Sequence, residues 1–173
     1  MKAVLISIQP KWVEKIASGK KTIEVRKTRP KLKTPFKVYI YCTYGNPKDN
    51  YCLGKRGKVI GEFVCDNILH SNENAFIGNK PLTQYVLKSS CLTMEEINQY
   101  RQGKNIYAWH ISNLVIYDKP KELSEFWSAD KCPYASTDGC RYKYHCFRAG
   151  QTKRCGNTLK RPPRSWCYVE KGE

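Results

Sequence analysis

Four cysteines near the C-terminus constrain the fold of this chain more than any other feature. They lie in a turn-rich segment with few aliphatic side chains, and their spacing is C-x7-C-x5-C-x8-C. The four are Cys132, Cys140, Cys146 and Cys155. Such a segment cannot bury enough apolar surface to fold by itself, and thiolates around Zn²⁺ are the usual solution in a reducing compartment. We therefore predict zinc as the cofactor. The alternatives are a disulfide pair or buried free thiols, and His145 or Cys167 could replace Cys155 as the fourth ligand.

The residues around the first three cysteines resemble the CCCH zinc fingers that bind single-stranded RNA. In that family a glycine precedes the second cysteine, as Gly139 does here, and aromatic residues flank the second and third cysteines. The resemblance implies nucleic-acid-binding side chains at four positions of the segment. These are Arg141, Tyr142, Phe147 and Arg148. The family's histidine ligand corresponds to Gly150, so Cys155 is the predicted substitute.

The distribution of charge favours a polyanionic partner. The net charge is +16 over 173 residues. Residues 1–60 carry 15 Lys and Arg against 3 Asp and Glu, residues 61–130 carry 6 against 9, and residues 131–173 carry 10 against 3. Two basic ends that fold together would form one positive face, which suits a nucleic acid. We expect no membrane partner, because no segment approaches the ~20 apolar residues of a membrane span. Without a signal-peptide pattern, the expected location is the cytoplasm.

The hydrophobic pattern predicts an α+β fold, a small mixed β-barrel with short helices. Alternating or β-branched runs predict strands over residues 2–8, 20–27, 37–43, 57–69, 105–117 and 165–169. A helix is predicted after Pro10, and a second one at 93–101, where Thr93 and Glu96 form a capping-box pattern. We expect a barrel over residues 1–127, followed by a zinc-bound lobe and a returning C-terminal strand over residues 128–173.

Residues 1–127 resemble an ASCH domain, a member of the PUA-like superfamily of small β-barrels. The resemblance rests on Gly19-Lys20-Lys21-Thr22-Ile23-Glu24-Val25-Arg26 and on the later strand Tyr107-Ala108-Trp109-His110-Ile111. The whole chain is similar to ASCH proteins of bacteriophages and prophages of Gram-positive bacteria. The resemblance implies a PUA-like barrel that binds RNA, single-stranded or carrying a modified base, in a cleft beside the first helix. A phage protein that inhibits a host nucleic-acid-handling factor is an alternative.

The signature also carries the candidate site residues of the barrel. Its cations are the predicted nucleic-acid contacts Lys20, Lys21, Arg26 and Lys27. One ASCH branch hydrolyses the amide of N4-acetylcytidine, and its matching strand reads Lys-Thr-Ile-Thr-x-Arg. Glu24 stands where that branch has its catalytic threonine, so the hydroxyl nucleophile is absent. If the chain is an enzyme, an amidohydrolase or a nuclease, the catalytic residues are Lys21 and Glu24.

A structural interpretation of the same residues stays open. Strand periodicity puts Glu24 and Arg26 on one face, with Lys21 at the mouth of the strand. The three side chains could simply form a surface ion pair, which contributes about 0–1 kcal/mol to stability. If the three residues form a recognition pocket, Arg26→Ala should abolish nucleoside binding with little loss of stability. If they are merely structural, the same change should alter the melting temperature as much as binding.

Overall fold

A computed structural model describes residues 2–48, 50–71, 76–77, 80–129 and 158–171. The four cysteines predicted to bind zinc lie outside the described residues, and so do Arg141, Tyr142, Phe147 and Arg148. Within the described ranges, no helix is long and apolar enough to cross a membrane.

Eleven strands and three α-helices make up the described part of the chain. The strands are β1 (Ala3–Ile8), β2 (Ile23–Arg26), β3 (Phe36–Cys42), β4 (Lys58–Cys65), β5 (Ile68–Ser71), β6 (Phe76–Ile77), β7 (Lys80–Pro81), β8 (Ile106–His110), β9 (Ser112–Lys121), β10 (Phe126–Ser128) and β11 (Trp166–Lys171). The helices are α1 (Pro10–Ala17), α2 (Leu82–Ser90) and α3 (Met94–Arg101), and a 3₁₀ turn covers Leu123–Glu125. The predicted α+β class is confirmed.

The main sheet has six strands in the order β10-β11-β1-β3-β4-β9. Strand β1 runs parallel to β3 and antiparallel to β11. All six residues of β1 are buried, because Val4, Ile6 and Ile8 face one apolar core while Ala3 and Leu5 face a second core. The continuous apolar run at the N-terminus therefore reflects a central strand that is covered on both faces. As the sequence predicts, the last strand returns to this sheet.

A second sheet of three strands, in the order β2-β8-β5, positions the candidate site. The second sheet adjoins the main sheet at a bend, where the pair formed by β4 and β9 gives way to the pair formed by β5 and β8. Val64 of β4 opposes Ser112 of β9, and beyond the bend Ile68 of β5 opposes Trp109 of β8. Each of the two long strands predicted over 57–69 and 105–117 is therefore split into two. In the described residues the strands form these open sheets and a two-stranded pair rather than one closed barrel.

The helices match the sequence pattern in part. Helix α1 begins at Pro10 and buries Val13 and Ile16. The capping box of α3 is present, since Thr93 Oγ1 accepts from the Glu96 backbone N–H and Glu96 Oε2 accepts from that of Thr93. Helix α2 was not predicted, although it supplies part of the candidate site. The apolar pattern of this helix is weak, and Val86 is the apolar residue that the structure shows to be buried.

Candidate functional site

A cleft of about 860 Å³ opens between α1, α3, β2 and the stretch that precedes β11. Its floor carries charged side chains of the signature strand. Trp12 of α1 and Tyr100 of α3 contribute to its walls, and Pro163 and Arg164 contribute from the C-terminal side. The cleft thus brings together segments that are more than a hundred residues apart in sequence.

Lys21, Glu24 and Arg26 form a buried ion cluster in this cleft. The Lys21 Nζ lies 3.3 Å from Glu24 Oε2, and the Arg26 Nη2 lies 3.0 Å from Glu24 Oε1. Only 2% of Lys21, 7% of Glu24 and 9% of Arg26 is exposed. The interpretation as a surface ion pair is therefore wrong, because both faces of β2 are covered. A single carboxylate lies between two cations, so the cluster has a formal charge of +1.

The local fold explains how Lys21 reaches this position. Gly19 adopts a positive φ of 72° just after α1, and the Lys21 N–H donates to the Lys15 carbonyl oxygen at 2.9 Å. This turn leads Lys21 under α2, where its Nζ donates to the Ser90 carbonyl oxygen at 2.8 Å. The carbonyl end of a helix carries partial negative charge, which favours a cation there. Helix α2 therefore stabilises the buried ammonium group together with Glu24.

Arg26 is held from two sides but keeps spare hydrogen-bonding capacity. Its Nη2 donates to the Ser7 carbonyl oxygen of β1 at 2.6 Å, and its Nη1 reaches Ser165 Oγ only at 3.5 Å. The Arg26 Nε is buried and has no hydrogen-bond partner among the described residues.

Aromatic side chains with cations above them form two walls of the cleft. The ammonium groups of Lys11, Lys15 and Lys21 lie 4.6, 4.9 and 5.3 Å from the centre of the Trp12 ring. At the second aromatic residue of the lining, Lys27 Nζ lies 4.9 Å from the ring centre of Tyr100. Neither Trp12 nor Tyr100 was a candidate site residue from the sequence alone. Paired aromatic and cationic groups of this kind suit stacking against a planar, electron-rich ligand.

A C-terminal strap, defined as residues 160–165, runs along the cleft. Ser7 holds the strap by two hydrogen bonds. Its hydroxyl donates to the Pro163 carbonyl oxygen at 2.7 Å, and its backbone N–H donates to the Ser165 carbonyl oxygen at 2.9 Å. The strap contains Pro162 and Pro163, and Arg164 within it lines the cleft. Its basic residues were counted in the charge of the C-terminal block but were not selected individually from the sequence.

The two remaining predicted site residues of residues 1–127 do not line the cleft. Lys20 is exposed in the turn after α1 and does not line the cleft. Lys27 does not line it either, but contacts Tyr100 and reaches Gln102 Oε1 at 3.4 Å. The structure therefore brings together Lys21, Glu24 and Arg26, and it leaves Lys20 and Lys27 at the edge.

The structure gives no support to a cysteine nucleophile among the core thiols. Burial raises the pKa of the Cys42 and Cys65 thiols to about 12, so both stay protonated at neutral pH. Both thiols are fully buried and behave as small core residues. In the described residues, no group of three or more His, Cys, Asp or Glu side chains could hold a metal ion.

Comparisons with known proteins identify the family. The model of the ASCH domain matches residues 6–122, and the chain therefore belongs to the ASCH domain family, a PUA-like family of RNA-binding fold. The crystal structure of ASCH from Zymomonas mobilis is similar with a TM-score of 0.54 and 22% identity, covering 70% of this chain and 73% of that chain. A point mutant of the Zymomonas protein gives a TM-score of 0.61 and 19% identity, covering 98% of this chain and 89% of that chain. These likenesses show the fold. No curated protein matches the chain.

Proposed function

We propose that this ASCH protein binds RNA by accepting one base, single-stranded or modified, in the cleft above Lys21, Glu24 and Arg26. The observation that carries the proposal is the buried ion cluster. Burying three charged groups is unfavourable for folding unless they are well paired, and apolar residues at such positions are often as stable. Charged groups kept at the floor of an open cleft are therefore best explained by a ligand that uses them.

The hydrogen-bonding pattern of the cluster suits a nucleobase edge. Glu24 accepts hydrogen bonds and can take one from an exocyclic amine, as carboxylates do with cytosine. Arg26 beside it donates, and its guanidinium group offers N–H donors suited to a ring nitrogen or a carbonyl oxygen. Trp12 and Tyr100 then offer aromatic faces for stacking. Single-stranded RNA is recognised in this way, by stacking a splayed base and reading its edge.

The test is the conservative variant Arg26→Lys. It keeps a cation beside Glu24, which limits the loss of stability, but it removes the planar set of guanidinium donors. We expect RNA affinity to fall at least tenfold in a fluorescence anisotropy titration. Arg29→Lys is the matched control, because Arg29 is exposed and does not line the cleft. Equal RNA affinities for wild type and Arg26→Lys would contradict the proposal.

A hydrolase is the second candidate, and the 3.3 Å contact between Lys21 and Glu24 inside a cleft is the observation that favours it. The threonine hydroxyl of the N4-acetylcytidine hydrolase branch has no equivalent at position 24. A carboxylate there could act only as a base that activates water. Rapid acetate release from N4-acetylcytidine, lost in Lys21→Ala, would establish the enzyme. RNA cleavage would establish a nuclease.

The zinc site stays a proposal that the cysteine spacing supports. The described residues on either side of the segment are adjacent, since Trp127 pairs with Thr158 and the Leu159 N–H donates to the Phe126 carbonyl oxygen at 2.8 Å. The chain thus leaves and rejoins the main sheet at one place, which suits a small separate lobe. Bound zinc would cross-link that lobe through Cys132, Cys140, Cys146 and Cys155.

Metal analysis and native mass spectrometry test this site. We expect about one Zn²⁺ per chain in the purified protein. Cys140→Ser should lose the metal and make the segment 130–157 sensitive to protease, while the melting of the main sheet changes little. Cys65→Ser is the control, because this core cysteine should leave the zinc content unchanged. A wild-type protein that carries no metal and resists protease in this segment would contradict the proposal.

The cellular setting follows from the resemblance to phage and prophage ASCH proteins. It supports the proposal that the chain is phage-encoded and acts in the cytoplasm of the bacterial host. A host protein that handles nucleic acid is the second proposed partner.

A further inference from the structure

We propose that the C-terminal strap binds the phosphates that flank the base in the cleft, so that the ligand is a nucleic-acid strand and not a free nucleoside. This inference rests on the proposed function of the cleft and specifies its ligand. It assigns Lys160, Arg161 and Arg164 as phosphate-binding residues.

The strap is positioned to act together with the cleft. Ser7 and Arg26, which fix it, belong to the strands that form the cleft floor. Arg26 therefore contacts both the buried carboxylate and the strap. The sugar of a base is attached across the ring from its exocyclic amine, so a base whose amine faces Glu24 at the cleft floor would direct its sugar and phosphates toward the open side of the cleft, where the exposed Arg164 contributes to the lining. The strap residues that line the cleft run without a gap from Pro162 to Ser165.

The cations of the strap are available for a ligand. Lys160, Arg161 and Arg164 are all exposed, and none of them forms an ion pair with another described residue. Other cations near the cleft are already engaged: Lys11 lies 3.9 Å from Glu96 Oε1, and Lys21 contacts Glu24. Three cations within five residues of each other, without an ion pair among the described residues, attract a ligand with several negative charges.

The two prolines make the strap a better phosphate-binding element than a flexible basic tail. Pro162 and Pro163 fix the backbone φ angles between Arg161 and Arg164. A segment that is already ordered loses less conformational entropy on binding. Two cations on either side of a rigid link also suit successive phosphates better than one isolated phosphate, and guanidinium groups bind phosphate oxygens in a bidentate manner.

The experiment compares ligands with and without a phosphate backbone. A labelled pool of random-sequence RNA decamers and the four common nucleosides are titrated against wild type and Arg161→Ala/Arg164→Ala. We expect the double variant to bind the decamers at least tenfold more weakly. The slope of log affinity against log salt should also become less steep by about 1.4, since each of the two lost phosphate contacts contributes about 0.7 for single strands. Nucleoside affinity should stay unchanged. Lys104→Ala/Lys119→Ala, which removes the same charge from exposed positions off the cleft, is the control.

The outcomes separate this inference from the proposed function. If the strap variant binds decamers with wild-type affinity and salt slope while Arg26→Lys loses affinity, the cleft binds a base and the inference about the strap is wrong. The same holds if strap and control variants lose affinity equally, since the effect is then only net charge. If Arg26→Lys and the strap variant both keep wild-type affinity for decamers and nucleosides, the proposed function itself fails. Equal melting temperatures of strap variant and wild type verify that folding is unaffected.

Discussion

Replacing Glu24 by alanine should lower the free energy of unfolding by about 3–5 kcal/mol, because it leaves Lys21 and Arg26 buried without their shared carboxylate. Their remaining partners are the Ser90 and Ser7 carbonyl oxygens and a long contact to Ser165. Carbonyl dipoles do not neutralise two cations in a site where less than a tenth of each residue is exposed. Urea unfolding followed by tryptophan fluorescence measures the effect.

The matched control is Lys11→Ala, which breaks the exposed ion pair to Glu96 at 3.9 Å. Exposed pairs contribute up to about 1 kcal/mol, so this variant should unfold close to wild type. A loss of less than about 1 kcal/mol for Glu24→Ala would show that water solvates the cluster in the folded protein. The comparison therefore decides directly between the buried cluster of the structure and the surface ion pair that the sequence allows.

RNA affinity should fall about 50-fold between 50 and 200 mM monovalent salt for a strand that makes about four phosphate contacts. Each contact releases counterions and contributes about 0.7 to the slope of log affinity against log salt. The three cations of the strap, with Lys20 and Lys27, supply enough charge for that number. Anisotropy titrations of the RNA decamer pool at four salt concentrations measure the slope.

An uncharged nucleoside is the control for this prediction. It occupies the same cleft without a phosphate, so its affinity should change much less over the same range of salt. An RNA affinity that stays flat with salt would contradict a polyanionic partner, even if a base binds in the cleft.

The signature segment illustrates how much of the site the sequence could predict. Pro10, the apolar spacing of α1 and the glycine after it correctly indicated a helix, a turn and a strand. The same pattern also allowed the wrong interpretation that the ion pair lies on the surface, because alternation of apolar and charged residues normally indicates a half-exposed strand. Glu24 and Arg26 are buried instead, since α2 and the strap come over β2 from distant parts of the chain. Local periodicity does not encode such contacts.

Helix α2 shows a second limit of prediction from the sequence, a short element with a weak apolar pattern. It was missed because its apolar pattern is short, yet its last carbonyl group binds Lys21. The strap was recognised only as part of a basic block. Its role depends on β11 pairing with β1, which brings Ser165 next to Ser7. This pairing joins the two ends of the chain, and its register is a property of the whole sheet.

Ultraviolet crosslinking of bound RNA, followed by mass spectrometry of the crosslinked peptides, tests the central claim most directly. Stacked aromatic rings crosslink efficiently to bases, so the account predicts adducts on the peptides that contain Trp12 or Tyr100, and their loss in Arg26→Lys but not in Arg29→Lys. Adducts found only on peptides away from the cleft, with those of Trp12 and Tyr100 unmodified, would contradict it.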